Sequence, residues 1–378
     1  MSFPVIDAHE DLAYNALTFG RDYLQSALET RRREQDSAIP QRNGHCMLGW
    51  PEYQQGQVAL VIATLFIAAH GTVDDWESQT YRSSAEARLL WEKQIAYYQR
   101  LCGDFPDRFR WVCDRQTLRE HFARWKTQPA TLPDENTASS DGWGRTHPVG
   151  LTLLMENAEG LHTPAELEEW RERGVRLVGP VWAPHGERFC GGSQSRAGFT
   201  REGYELLEVM AGLGLILDIS HMNERSALQA LDRYEGPVAA THANCRALLR
   251  VSDNERHFSD RVIRQLIERD GVMGVSPFAR WLRPGWSPSD DPAQTTFSHL
   301  VAHIDHVCQI AGDARHVGLG TDFDGGWGWP AVPQGMNTIA DLQKLPAFLA
   351  EAGFATEDIA AVMGENWAHF LERSLAET

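Results

Sequence analysis

The sequence predicts an α/β chain folded as a (β/α)8 barrel of the TIM type. Three observations point there. Eight short apolar runs are spread along the chain, stretches of helical periodicity separate most of them, and five of the runs end on a His, Asp or Glu. Apolar runs of about four to eight residues read as strands buried on both faces. Strand and helix alternating eight times is the pattern of a barrel. A doubly wound open sheet is the rival, but nothing resembles its GxGxxG turn.

In chain order, the first run is Phe3-Pro-Val-Ile-Asp-Ala, leading into His9-Glu-Asp11, and the second is Val58–Ala69. Leu151–Met155 leads into Glu156 and is followed by Val175–Trp182. Leu213–Ser220 leads into His221, and Pro237–Thr241 into His242. Gly271–Ser276 and Val317–Thr321, which leads into Asp322, complete the eight. Between them, Thr163–Arg173 has Pro164 early and Gly174 just past its end, the expected asymmetry of helix start and stop. Arg201–Gly212, Asn223–Tyr234, Ser259–Arg269 and Ser298–Ala311 also carry helical periodicity.

Two segments exceed a minimal barrel. Leu12–Gln57 follows the first strand, and Gly71–Gly150 follows the second. The latter holds expected helices at Ser83–Leu101 and Gln116–Trp125, a short run Phe109–Cys113 and a polar stretch Thr127–His147. Long insertions after barrel strands commonly form lids or oligomer surfaces, and a homodimer is one assembly they allow. From Asp341 onward, Phe348, Leu349, Ile359, Val362, Met363 and Phe370 recur at helical spacing and predict a C-terminal helical cap. With no internal repeat and no linker, residues 1–378 read as a single domain.

Composition narrows the function. A formal charge of −17 argues against nucleic acid and anionic membrane as partners. The longest apolar stretch, Val58–Ala69, is too short to span a bilayer, and the first residues lack the basic and apolar regions of a signal peptide. Six cysteines without CxxC spacing read as free thiols, so a cytoplasmic location is expected.

The strand ends carry the chemistry. In a parallel barrel the C-terminal ends of all strands open onto one face, so residues far apart in sequence converge there. His9 and Asp11 lie two apart, on one side of an extended chain. Glu156, His221 and His242 each terminate an apolar run, where a polar side chain is costly unless paired or bound to metal. These donors exceed what one tetrahedral ion needs and suit two ions sharing a carboxylate and a water. Cysteine supplies none of them, and a nitrogen and oxygen set suits two Zn²⁺, with Mn²⁺, Co²⁺ or Fe²⁺ as substitutes. Many two-metal barrels bridge with a carboxylated lysine. Here the only lysines are Lys93, Lys126 and Lys344, none at a strand end, so Glu156 is the natural bridge.

Asp322 can take a proton from the attacking water and pass it to a leaving amine. It can equally be another plain ligand, and Asp324 competes for its role, although Gly325-Gly326 suggests that Asp324 has a structural duty. His299, His303 and His306 share a helix face, but a helix outside a barrel looks away from the mouth. No GxSxG elbow or P-loop supports a serine hydrolase or a phosphate cradle.

Taken together, Ile6-Asp-Ala-His-Glu-Asp-Leu12, Leu217-Asp-Ile-Ser-His221, Thr241-His-Ala-Asn-Cys-Arg-Ala-Leu248, Arg256-His-Phe-Ser-Asp260 and Gly318-Leu-Gly-Thr-Asp-Phe-Asp-Gly325 resemble the membrane (renal) dipeptidase family of zinc peptidases. The resemblance implies a binuclear zinc dipeptidase within the amidohydrolase-like barrels, cleaving small dipeptides with a metal-bridging hydroxide. It assigns His9, Asp11 and Glu156 to one ion, and Glu156, His221 and His242 to the other. Asp322 becomes the proton-handling residue. Arg256 resembles the arginine that holds the substrate's C-terminal carboxylate, with Arg246 and Arg250 as competitors. It also implies tolerance of a D-residue at the C-terminal position. The chain departs from the family at the end of the fourth strand. Where some members carry a carbonyl-binding histidine, this chain has Trp182, with His185 three residues on as the candidate replacement. The alternatives are a metal-dependent deacylase of N-acyl amino acids and a non-catalytic metal-binding barrel subunit.

Overall fold

The computed structural model describes residues 2–131, 144–249 and 255–377. Eight parallel strands form its centre: β1 (Val5–Glu10), β2 (Val58–Leu65), β3 (Val149–Met155), β4 (Val175–Val178), β5 (Ile216–Asp218), β6 (Val238–Ala239), β7 (Met273–Val275) and β8 (Val317–Leu319). They pair in sequence order, and β1 also pairs β8. A parallel bridge between Ala240 and Met273 joins β6 to β7 and closes the ring. Every apolar run expected as a strand contributes one. The fourth is shorter than Val175–Trp182, because the chain leaves the sheet after Val178.

Two apolar clusters separate the faces of these strands. Ile6, Ala8, Leu60, Ile62, Leu154, Leu177, Ile216 and Ala239 pack together in one. Val61, Ala63, Leu153, Leu217, Val275 and Leu319 join the larger cluster, which also holds Val262, Ile263 and Leu266 of a surrounding helix. Both are fully buried, which explains why the strands read as continuous apolar runs rather than alternating ones.

β1 carries the one irregularity that matters for function. Between the pairs Asp7↔Val61 and Glu10↔Ala63 it spends three residues against two of β2, a one-residue bulge. A bulge re-aims the side chains beyond it. Ile6 and Ala8 belong to the inner cluster, and past the bulge His9 and Asp11 point into the mouth.

The helices fall close to expectation: α1 (Leu12–Phe19), α2 (Ser84–Asp104), α3 (Arg115–Thr127), α4 (Arg201–Gly212), α5 (Glu224–Arg233), α6 (Asp260–Glu268), α7 (Phe297–Ala311) and α8 (Asn366–Ser374). Ser83, Asp114, Thr200, Asn223 and Ser259 each cap the helix that follows through a side-chain oxygen. The run at Phe109–Trp111 forms a ninth strand, pairing with the first half of β3, whose second half pairs with β4. Part of the polar stretch 127–147 lies outside the described residues.

The C-terminal cap closes the end of the barrel opposite the mouth. The Trp367 indole donates to Leu319 O at 3.0 Å, and Asn366 Nδ2 donates to Val317 O at 2.7 Å. Gly318 permits this, since a Cβ there would lie 2.5 Å from Trp367 Nε1. Trp125 and Phe122 of α3 complete the floor with Phe370 and Leu371.

Candidate active site

The strand ends converge as the barrel requires. His9 Nε2 lies 3.4 Å from Glu156 Oε1, and the same oxygen lies 3.2 Å from His221 Nε2 and 3.7 Å from His242 Nε2. Donor atoms of His9, Asp11 and Glu156 all fall within 4.8 Å of one another, as do those of Glu156, His221 and His242. Glu156 is common to both sets. A third set joins His9, His242 and Asp322.

The residues fit metal ions. His9 Nε2 and Glu156 Oε2 are buried without a hydrogen-bond partner. Burial, reinforced by the charge of Asp218, pushes the Glu156 carboxyl up to about 8. Burial and the charge of Glu156 raise Asp11, and burial raises Asp322 well above the carboxylate range against the pull of His9. Three crowded acids driven toward their neutral forms are costly, and cations among them reverse that cost. Burial also holds His221 and His242 well below the usual histidine range, in the neutral form that ligates metals.

A second layer orients these groups. The Thr241 hydroxyl donates to Asp218 Oδ2 at 2.6 Å. Its oxygen then lies 2.9 Å from His242 Nδ1 and 3.3 Å from His9 Nδ1. Accepting from both Nδ1–H groups, it leaves both Nε2 lone pairs for the mouth. The Thr64 hydroxyl donates to Asp11 Oδ1. Asp322 Oδ2 accepts from Trp327 Nε1 at 3.1 Å, while its Oδ1 stands 3.9 Å from His9 Nε2. His221 and Asp322 both have left-handed backbones, with φ of 67° and 58°. Such strain in residues other than glycine costs about 1 kcal/mol or more, and it concentrates at functional sites.

Arg256 is buried beside the cluster. Its guanidinium donates to His242 O at 3.0 Å, approaches His221 Nε2 at 3.4 Å and lies 4.6 Å over the Trp281 ring. Of its competitors, Arg246 pairs with Glu224, away from the cluster, and Arg250 lies outside the described residues. The mouth holds a cavity of about 190 Å³, lined by Asp11, Glu156, His221, His242 and Asp322 below and by Tyr14, Phe66, Val73, Glu77, Trp182 and Trp281 around it. A larger open groove of about 830 Å³, between Tyr204 and Gly236, touches none of the clustered donors.

A family model described as membrane dipeptidase (Peptidase family M19) matches residues 135–376. An uncharacterised dipeptidase of Schizosaccharomyces pombe is 30% identical over 374 residues, which cover 96% of this chain and 79% of that one. The chain belongs to the membrane dipeptidase family. It is thus a metal-dependent dipeptidase with the buried His, Asp and Glu cluster that such an enzyme needs. Solved structures share its fold. One is a metallo peptidase from Rhodobacter sphaeroides liganded with a phosphinate mimic of the dipeptide L-Ala-D-Ala, at 22% identity and TM-score 0.74 over 99% of this chain and 100% of that chain. Another is the probable dipeptidase PvdM from Pseudomonas aeruginosa, at 19% identity and TM-score 0.72 over 98% of this chain and 95% of that chain.

The structure does not bring His185 to the mouth of this dipeptidase. The chain turns at Ala183–Gly186, where the Gly186 N–H donates to Ala183 O at 2.9 Å, and His185 at the tip of that turn is exposed. Trp182 stays on the cavity wall, 6.1 Å from the His221 ring and 4.8 Å from Phe66. Asp324 has the structural duty its glycines suggested. It pairs with Arg21 at 3.1 Å and accepts from Met47 N at 2.8 Å. His303 accepts from Cys245 N at 3.0 Å, and His306 meets Asp260 at 2.8 Å, so the histidines of α7 are structural.

Sequence reasoning gave no role to Asp218, Thr241 or Thr64. Asp218 lies inside an apolar run, between Leu217 and Ile219, and the cost of burying it there is the signal that could have found it. The cavity walls Tyr14, Phe66 and Trp281 carried no comparable signal.

Proposed function

We propose that this enzyme hydrolyses dipeptides with two zinc ions per chain. His9, Asp11 and Glu156 would hold one ion, and Glu156, His221 and His242 the other. The carrying observation is the single carboxylate of Glu156, shared by two compact sets of donors. The nitrogen and oxygen donor set supports zinc, with Mn²⁺, Co²⁺ or Fe²⁺ as substitutes. Bound there, the ions would polarise the scissile carbonyl and make a water acidic enough to attack near neutral pH.

The chain's own residues complete the reaction. Asp322, with Oδ2 fixed by Trp327, uses Oδ1 to take a proton from the attacking water and return it to the leaving amine. Arg256 receives the substrate's C-terminal carboxylate through its planar guanidinium. Phe66, Trp182 and Trp281 keep the reacting groups dry. Acceptance of a D-residue at the C-terminal position is part of the proposal, supported by the mimic bound to the Rhodobacter sphaeroides relative.

The reading extends to a single domain over residues 1–378, supported by one outer core cluster that runs from Val5 to Met363. It includes a cytoplasmic setting, supported by six free cysteines. No helix among the described residues is long and apolar enough to cross a membrane. A homodimer, supported by exposed Leu17 and Phe105 along one groove, would register as twice the chain mass in light scattering.

Elemental analysis of the purified protein, with a screen of L,L- and L,D-dipeptides against N-acyl amino acids, tests the central claim. Two metals per chain and preferred dipeptide turnover are expected. One metal, or preferred deacylation, overturns it.

A further inference from the structure

Glu77 stands at the rim of the cavity but belongs to none of the three donor sets. It lies in the insertion after β2, and several contacts fix that loop onto α1. Trp76 packs on Phe19 at 5.7 Å, and Ser78 Oγ lies 3.1 Å from Thr18 Oγ1. The Tyr14 hydroxyl donates to Glu77 Oε2. Tyr14 itself is anchored in an apolar cluster with Phe66 and Ala68, against which Val73 and Trp182 pack. The carboxylate is therefore held in place at an otherwise apolar wall.

Glu77 makes no ion pair within 4.0 Å among the described residues. Arg42, a cation whose charge reaches it, is turned onto the Trp76 ring at 5.0 Å. Tyr14 engages Oε2, and among the described residues no hydrogen bond occupies Oε1. In the proposed centre Asp11 and Glu156 would be answered by the ions they hold, whereas Glu77 lies in none of the donor sets. A half-buried carboxylate on a substrate cavity, supported by one neutral donor, is matched by a cationic hydrogen-bond donor. Arg256, behind Trp281, His221 and His242, offers the opposite charge. A dipeptide is a zwitterion, and an acid at the rim of the cavity with a guanidinium behind its wall would sort the two ends.

We propose that Glu77 is a specificity residue that receives a protonated amine on the N-terminal side of the scissile bond. This rests on the dipeptidase reading above. The amine is either the substrate's α-ammonium or the side-chain ammonium of an N-terminal lysine. An N-acyl amino acid carries neither, so the same carboxylate rejects it.

The test compares wild-type holoenzyme with Glu77→Gln, which keeps an oxygen for Tyr14 but removes the charge. Ala-Ala and Lys-Ala serve as substrates, and metal content serves as the control for an intact centre. Losing a charge-assisted hydrogen bond should lower kcat/KM by about tenfold to a hundredfold, mostly through KM. A loss shared by both substrates identifies the α-ammonium, and a loss confined to Lys-Ala identifies the side chain. If wild type cleaves both dipeptides and the variant stays within about twofold on each, the amine site is overturned while the dipeptidase reading stands. If wild type prefers N-acetylalanine to dipeptides, both fall.

Discussion

The Thr241 hydroxyl donates to the Asp218 carboxylate at 2.6 Å, and that one bond sets the tautomers of two histidines. With its proton committed, the oxygen accepts from Nδ1 of His242 and His9, whose Nε2 atoms then face Glu156 as bare lone pairs. The proposed centre thus depends on a residue that does not itself face the ions.

Thr241→Val keeps the shape and removes the acceptor. Metal affinity should fall by about tenfold to a hundredfold, as for the loss of other groups that orient ligands. Competition with a chelator measures this. Unchanged metal retention would mean that the histidine tautomers are set elsewhere.

Asp322→Asn should abolish hydrolysis, by a factor of about a hundred or more, while metal content stays near two per chain. Amide and carboxylate have the same shape, so Trp327 retains its acceptor. Surviving turnover would show that another group moves the proton.

Arg256→Lys should raise KM for dipeptides by about tenfold, because an ammonium replaces a planar fork. The decisive comparison uses a dipeptide and its C-terminal amide. Wild type should strongly prefer the free carboxylate, and the variant should lose most of that preference. Equal discrimination in both proteins would place carboxylate recognition elsewhere.

Metal-stripped protein should lose stability as pH rises. The Glu156 carboxyl, ordinarily near 4.5, is raised to about 8 in the folded chain. Between these values the folded state holds a proton that the unfolded chain has released. The stability it contributes is therefore full below the lower value and is lost as pH climbs through the upper one. Asp11 and Asp322 shift in the same direction. Tm of the stripped enzyme should fall between about pH 5 and about pH 8, and stripped Glu156→Gln should fall less. Parallel profiles for the two proteins would contradict this.

Much of this architecture was legible because burial leaves a mark on sequence. Strands covered on both faces must be apolar throughout, so a polar residue ending such a run, like Glu156 or His242, is conspicuous. The bulge in β1 left no such mark, since only the pairing of Asp7 with Val61 and of Glu10 with Ala63 reveals the extra residue. Trp182 and His185 could not be ranked from sequence either. Their order in space depends on a turn at Ala183–Gly186, and that turn sends the histidine outward. Glu77 was hidden for a third reason. It lies in the insertion well past the end of β2, and its meaning comes only from Tyr14, 63 residues away.

The segment between β1 and β2 has an engineering consequence. Asp322 and Asp324 both hold left-handed backbones, with φ of 58° and 64°. The second aspartate is clasped by Arg21, Met47 and Tyr23, and its carbonyl by Asn15 and Asn43, all from that segment. A minimised barrel that trims residues 12–57 as decoration would strip a buried charge of its partners and release the loop that carries Asp322. Grafting this active site onto another scaffold therefore means moving the segment with it, as part of the same machine.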